Sequence, residues 1–313
     1  MKNILVAGGA GFVGSHLCDY LIKDANVVCI DNLITGNLEN IEHLKNNKRF
    51  KFIKIDICSD QLAKTLSSYK FDRIYHLASP ASPIDYIEYP IETLLTGSIG
   101  SKNLLDIAVK DGARMLIAST SEIYGDPLEH PQKEEYWGNV NPIGLRSCYD
   151  EAKRFMEAIT MAYKRKKQAD IRICRIFNTY GPRMRLADGR VVPNFISQAL
   201  RGEDITVYGD GSQTRSFCYV SDLVEGIIKL MESNVDSPVN LGNPNERTIM
   251  DFAKGVIKML GSKSVIKQLP PLPDDPQKRK PDITKAKKHL CWEPKVTFEE
   301  GIKTTIEYFK PRV

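Results

Sequence analysis

A run of apolar and β-branched residues, Lys2 to Ala7, leads into Gly8-Gly9-Ala10-Gly11-Phe12-Val13-Gly14 and then into an amphipathic stretch. Strand, glycine turn and helix in that order restrict the chain to few folds. Glycine at 8 permits a tight turn, at 11 lets backbone approach a pyrophosphate, and at 14 lets the helix pack against the sheet. The helix N-terminus then turns free amides and a positive dipole end towards phosphates. Asp31 closes the second apolar run, Val27–Ile30, at the distance of about 20 residues where a carboxylate accepts hydrogen bonds from a ribose diol. A 2′-phosphate would be repelled there and no arginine follows at once, which favours NAD over NADP. The expected cofactor residues in this half are Gly8, Gly11, Phe12, Val13, Gly14, Asp31 and Asn32, with Asp56 and Ile57 flanking the adenine.

Further apolar runs at Phe50–Ile55, Arg73–Leu77, Met115–Ala118 and Ile171–Phe177 alternate with helical patterns. That rhythm predicts an α/β fold, a Rossmann-type doubly wound parallel sheet. After Tyr180 the pattern turns to Gly- and Pro-rich loops with helical stretches near Val192–Leu200, Ser221–Met231 and Met250–Leu260. The expected division is a cofactor domain over residues 1–180, a return to it around 216–245, and a smaller interleaved substrate domain mainly over 181–313. Val239-Asn240-Leu241-Gly242 reads as the returning strand, Leu269-Pro270-Pro271-Leu272-Pro273 as a stiff loop, and Lys164–Lys167 as a solvated helix end.

The bulk properties exclude several classes. A net charge of +5 spread over 313 residues is too small to argue for nucleic acid. The seven cysteines show no paired spacing and the five histidines no ligand cluster, so neither a disulfide framework nor a metal site is expected. No stretch has the length and apolarity of a membrane span, and the opening strand leaves no room for a cleaved leader. A cytoplasmic protein is expected.

The chemistry lies in Ser119-Thr120-Ser121-Glu122-Ile123-Tyr124-Gly125, read with Tyr149 and Lys153. The last two are one helical turn apart and share a face. Free tyrosine, with a pKa of about 10, is a poor base at neutral pH, and a nearby ammonium and a cationic nicotinamide favour its phenolate. Tyr149 can then take a proton from a hydroxyl while hydride leaves the same carbon. Lys153 would also hold the nicotinamide ribose, and Thr120 would share the proton network at the end of the fifth strand.

These residues resemble the extended short-chain dehydrogenase/reductase family over essentially the whole chain. Among its nucleotide-sugar members, Thr120-Ser121-Glu122 is the pattern of UDP-glucuronate decarboxylases (UDP-xylose synthases), where dehydratases carry Thr-Asp-Glu and many 4-epimerases neither acid. His76-Leu77-Ala78-Ser79-Pro80-Ala81-Ser82-Pro83, Phe177-Asn178-Thr179-Tyr180-Gly181-Pro182-Arg183 and Asp275-Pro276-Gln277-Lys278-Arg279-Lys280-Pro281-Asp282 are similar to the same branch. The resemblance adds Leu77 and Ser79 to the cofactor residues. It offers Asn178, Arg190, Tyr208 and Arg215 for the UDP part, with Arg215 on the diphosphate. Gly97 and Leu95 depart from the pattern, standing where relatives place an asparagine and, in some, a lysine.

The implied reaction oxidises carbon 4 of UDP-glucuronate, loses CO2 from the resulting β-keto acid, reprotonates carbon 5 and reduces carbon 4 again, with NAD regenerated each turnover. Ser121 suits a reaction that expels no hydroxyl. Glu122 is expected to order a water or transfer a proton near carbon 5. Arg279 is expected at the sugar carboxylate, orienting it or delivering a proton through water without gripping it. The alternatives are a UDP-sugar 4-epimerase or dehydratase and, in another class, a non-catalytic NAD-binding regulator. The resemblance also implies a homodimer formed through the helix around Leu94–Val109 and the one bearing Tyr149.

Overall fold

The computed structural model describes residues 1–271 and 278–313. The apolar runs become β1 (Lys2–Ala7), β2 (Ala25–Asp31), β3 (Phe50–Lys54), β4 (Arg73–His76), β5 (Arg114–Thr120) and β6 (Ile171–Ile176). Together with Val239–Leu241 they form a seven-stranded sheet in the order Val239–Leu241, β6, β5, β4, β1, β2, β3. Every neighbouring pair is parallel. The order reverses between β1 and β4, so the ends of those strands open the crevice where such sheets take ligands.

The helices that cover this half are α1 (Phe12–Leu21), α2 (Leu62–Thr65), α3 (Pro83–Glu88), α4 (Pro90–Leu95), α5 (Ser101–Asp111) and α6 (Ser147–Lys167). One face of the sheet packs Leu17, Cys18 and Leu21 of α1 with Val224, Ile227 and Leu230 of the Val220–Glu232 helix and with Trp292. The other face packs Leu104, Leu105 and Ala108 of α5 with Met156 of α6. Residues of the chain's second half therefore cover the first-half sheet, at 220–241 and again near Ile283–Trp292. A separate core gathers Val192, Phe195, Ile196, Phe252, Val256, Phe298, Ile302 and Phe309.

Between α4 and α5 the backbone widens into a π-turn, Thr96–Gly100. A Cβ on Gly97 would stand 2.7 Å from the carbonyl oxygen of Ala152 on α6. This accounts for glycine at the first departure from the family pattern, because a larger residue would push away the helix that carries Tyr149 and Lys153. Of the sequence segments singled out above, Leu272-Pro273 and Asp275-Pro276-Gln277 lie outside the described residues.

Candidate active site

β1 delivers the chain to Gly8, whose φ of +80° lies in the left-handed region that favours glycine. A Cβ there would meet the Ala78 amide at 2.5 Å, and one on Gly14 would meet the Gly8 carbonyl at 2.1 Å. The turn is thus pressed against the chain leaving β4 and against α1. Gly11 precedes α1 without a side-chain cap on its first amides. Asp31 accepts hydrogen bonds from the amides of Ala10 and Leu33, at 3.0 and 2.8 Å. Burial raises its pKa against the effect of those bonds. Asn32 donates to Asp56 at 2.7 Å.

Gly8, Gly11, Asp31, Asn32, Asp56, Ile57, Leu77 and Ser79 line one pocket. A glycine cradle, a helix N-terminus without a side-chain cap and an acidic strand end fit a dinucleotide. Phe12, Val13 and Gly14 form the adjacent first turn of α1. Ile34, Thr35, Gly36 and Thr96 line the pocket as well and were not anticipated. Gly36 was the available signal, since a Cβ there would fall 2.7 Å from an Asp31 carboxylate oxygen.

At the C-terminal end of β5, Thr120 caps the short helix Ser121–Tyr124, and Ser121 is buried with it. Tyr149 is buried, hydrogen-bonded to Thr120, and stacked on Tyr86 with ring centroids 5.0 Å apart. Burial pushes its phenol up; the Thr120 hydroxyl and the Arg190 guanidinium work the other way. Lys153 donates to the Ala118 carbonyl at 2.8 Å, with its nitrogen 5.6 Å from the Tyr149 ring centre. Its burial lowers the ammonium to about 7.

Glu122 is held by two arginines, Arg146 from the start of α6 and Arg279 from the Lys278–Arg279 strand. Burial opposes its charge, but those guanidinium groups outweigh burial and hold the carboxyl well below the usual carboxylate range. These two ion pairs favour the ionised form of Glu122. Arg279 also donates to the Gly125 carbonyl at 3.1 Å and is 3% exposed. Its fork is engaged within the protein.

The expected UDP residues come from several elements. Arg215 and Arg279 are register partners on adjacent parallel strands, and Tyr208 ends the Ile205–Tyr208 strand, which pairs with Ile266–Leu269 in a separate sheet. Asn178 sits just past β6, its carbonyl accepting from the Cys218 amide. Arg190 is set apart from these. It pairs with Asp188, lies 5.9 Å from the Phe12 ring centre, and acts on Tyr149, which puts it where the glycine turn meets the base. Arg146, Tyr86 and Asp150 were missed; their signal was proximity to Tyr149 in sequence or, for Tyr86, only in space. Among the described residues no group of His, Cys, Asp and Glu is arranged to hold a metal, and no helix is long and apolar enough to cross a membrane.

Comparison with known proteins agrees with this geometry. The family model for GDP-mannose 4,6-dehydratase matches residues 5–305. A UDP-glucuronic acid decarboxylase 1 from Danio rerio is 54% identical over 98% of this chain and 72% of that protein. UDP-glucuronic acid decarboxylase 3 from Arabidopsis thaliana is 53% identical over 99% of this chain and 90% of its own length. Among solved structures, UDP-glucose 4-epimerase from Thermotoga maritima, with UDP-glucose, superposes with a TM-score of 0.92 at 32% identity, covering 99% of both chains. UDP-glucuronic acid 4-epimerase from Bacillus cereus, in complex with UDP-glucuronic acid and NAD, superposes at 0.90 with 29% identity over 99% of this chain and all of its own. With a glycine cradle for NAD, a Thr-Tyr-Lys constellation and these relatives, the chain belongs to the GDP-mannose 4,6-dehydratase-like family of extended short-chain dehydrogenases/reductases.

Proposed function

We propose that the protein is an NAD-dependent UDP-glucuronate decarboxylase that forms UDP-xylose through a 4-keto sugar. The observation that carries this is the Ser121-Glu122-Arg279 arrangement. Ser121 offers no acid to expel a hydroxyl, and Glu122 is locked as an anion by Arg146 and Arg279, so dehydration has no proton donor there. The decarboxylases at 54% and 53% identity support the same substrate.

Gly8, Gly11, Asp31, Asn32, Asp56, Ile57, Leu77 and Ser79 would hold the cofactor. NAD, when bound, supplies the reversible hydride acceptor for sugar carbon 4. Tyr149 takes the carbon-4 hydroxyl proton, with Thr120 as its hydrogen-bond partner and Arg190 favouring the phenolate. Once carbon 4 is a ketone, the carboxylate on carbon 5 is that of a β-keto acid, and loss of CO2 leaves an enolate. Tyr149, Thr120 and Ser121 stabilise its oxygen. Arg279, engaged with Glu122, orients the carboxylate end without clamping it; a tight clamp would stabilise the ground state and slow the loss of CO2. Asn178, Tyr208 and Arg215 serve the UDP part.

The same proposal includes a cofactor body of residues 1–180 with the 216–245 return, and a substrate body made mainly of 181–313. It also includes a homodimer. Ile87, Ile91, Leu94, Leu95 and Ile99 are all more than a third exposed along α3, α4 and the π-turn, and Phe155 is exposed beside them on α6. Native sizing tests that point. A cytoplasmic setting is supported by seven free thiols, which persist in reducing compartments.

Incubation with UDP-glucuronate, without net reductant, should release CO2 and UDP-pentose in equal amounts. A UDP-hexuronate epimer as sole product would favour the second reading, a UDP-glucuronate 4-epimerase, whose Bacillus cereus representative shares the fold at 29% identity.

A further inference from the structure

Decarboxylation has a proton requirement that the residues so far do not meet. The C5–COO⁻ bond breaks, CO2 leaves, and the electron pair stays on the enolate over carbon 5, carbon 4 and oxygen 4. A C5–H bond then forms, so each turnover consumes one proton from solution. The proton on Tyr149 is not the supply, because it returns to oxygen 4 when the ketone is reduced. Glu122 is not the store, because two arginines hold it ionised.

Asp150, next to Tyr149, is 7% exposed, and its Oδ1 has no hydrogen-bond partner among the described residues. Arg146, one turn before it at the N-cap of α6, reaches Glu122; Arg154, one turn after, donates to the Ile123 and Trp137 carbonyls. Residues so spaced share a helix face, so Asp150 sits between them against the segment carrying Glu122. The charged and titratable groups around it are Glu122 from Ser121–Tyr124, Arg279 from its strand, Tyr86 from α3, Arg146 at the N-cap of α6, and Cys148, Tyr149 and Glu151 from its own helix. Before Arg146, the chain at Asn141–Ile143 is exposed.

We infer that Asp150 is the proton-relay residue that brings into the site the proton decarboxylation consumes. Its O–H bond breaks as the proton passes through solvent to carbon 5, where the C5–H bond forms. The Asp150 carboxylate is recharged from solvent, while Glu122 stays an anion throughout. A neutral carboxyl suits the place: burial first, and then Glu122, raise Asp150 to about 7 against the pull of Arg146 and Arg279. A group poised near the working pH is what acid–base transfer requires.

This inference rests on the decarboxylase reading, and one experiment separates the two. Turnover of UDP-glucuronate is followed from pH 6 to 9 for wild type, Asp150→Asn and Asp150→Glu. Wild type should lose activity above about pH 7 as Asp150 ionises. Asp150→Asn should lower kcat about a hundred-fold, the lower end of what proton-transfer groups contribute. Its KM should change little, and the basic limb should move from the wild-type position to the one Lys153 sets alone. Asp150→Glu should recover activity with the limb moved. An Asn variant with wild-type kcat and limb would overturn the relay. If the Asn variant does not fold, the Glu variant decides: a limb unmoved from the wild-type position belongs to Lys153 and overturns it. Wild-type enzyme that releases no CO2 would instead overturn the underlying decarboxylase reading.

Discussion

Replacing Glu122 with Gln leaves the shape of the site and removes the charge that two arginines share. Glu122 has a 14% exposed side chain and Arg279 a 3% exposed one, so the pair is screened little by water. The carboxyl's fall from 4.5 to about 2 corresponds to roughly 3 kcal/mol of folding stability at neutral pH, at about 1.4 kcal/mol per factor of ten. Breaking a buried pair by removing one partner costs about 3–5 kcal/mol, in agreement. Because the folded-state pKa is depressed, this stability is present above the unfolded value near 4.5 and is lost as pH falls towards 2. Urea unfolding of wild type and Glu122→Gln should therefore differ by roughly 3 kcal/mol at pH 7 and by clearly less at pH 3. A difference below about 1 kcal/mol at pH 7, or one that does not shrink with acidification, would refute the account of Glu122 as a locked anion. The variant should also move the basic limb assigned to Asp150 to lower pH, since Glu122 is the charge that helps hold that proton.

Tyr149→Phe should abolish turnover while NAD binding, measured by calorimetry, stays within a few-fold of wild type; appreciable residual turnover would remove Tyr149 as the base. Gly14→Ala places a Cβ 2.1 Å from the Gly8 carbonyl, so it should weaken NAD binding at least ten-fold or prevent folding, and unchanged affinity would refute the close approach. Gly97→Asn should lower activity by displacing α6 through Ala152, read as lost turnover with retained secondary structure. Trp292→Ala removes a 1% exposed ring and its 2.9 Å hydrogen bond to the Asp222 carbonyl. It should cost about 3–5 kcal/mol in denaturant unfolding, which measures how firmly the chain's C-terminal part is tied to the sheet.

The cofactor half was the most legible part, because its signals are local. Each strand announces itself by an apolar run, and the glycine positions answer steric demands within one turn. Asp31 was readable for the same reason, as its partners Ala10 and Leu33 are set by the turn and the strand end. The second half was less legible. Nothing in the Thr284–Trp292 segment announces that Ala286, Leu290 and Trp292 join the first-half core. That outcome depends on which apolar surface the sheet leaves open.

Composition, periodicity and motif spacing determined by themselves that this chain makes a doubly wound sheet, takes NAD, and sets Thr120, Tyr149 and Lys153 in one site. What only the tertiary structure decided is the state of charge there. Arg146, Arg279 and Glu122 come from three separate segments, and the ionised form of Glu122 is favoured because folding brings both guanidinium groups onto it. Asp150 stands beside the same carboxylate with an oxygen unpartnered among the described residues, and burial beside that negative charge favours its protonated form. A carboxyl's pKa follows from burial and neighbouring charge, and both are products of long-range packing that residue order does not display.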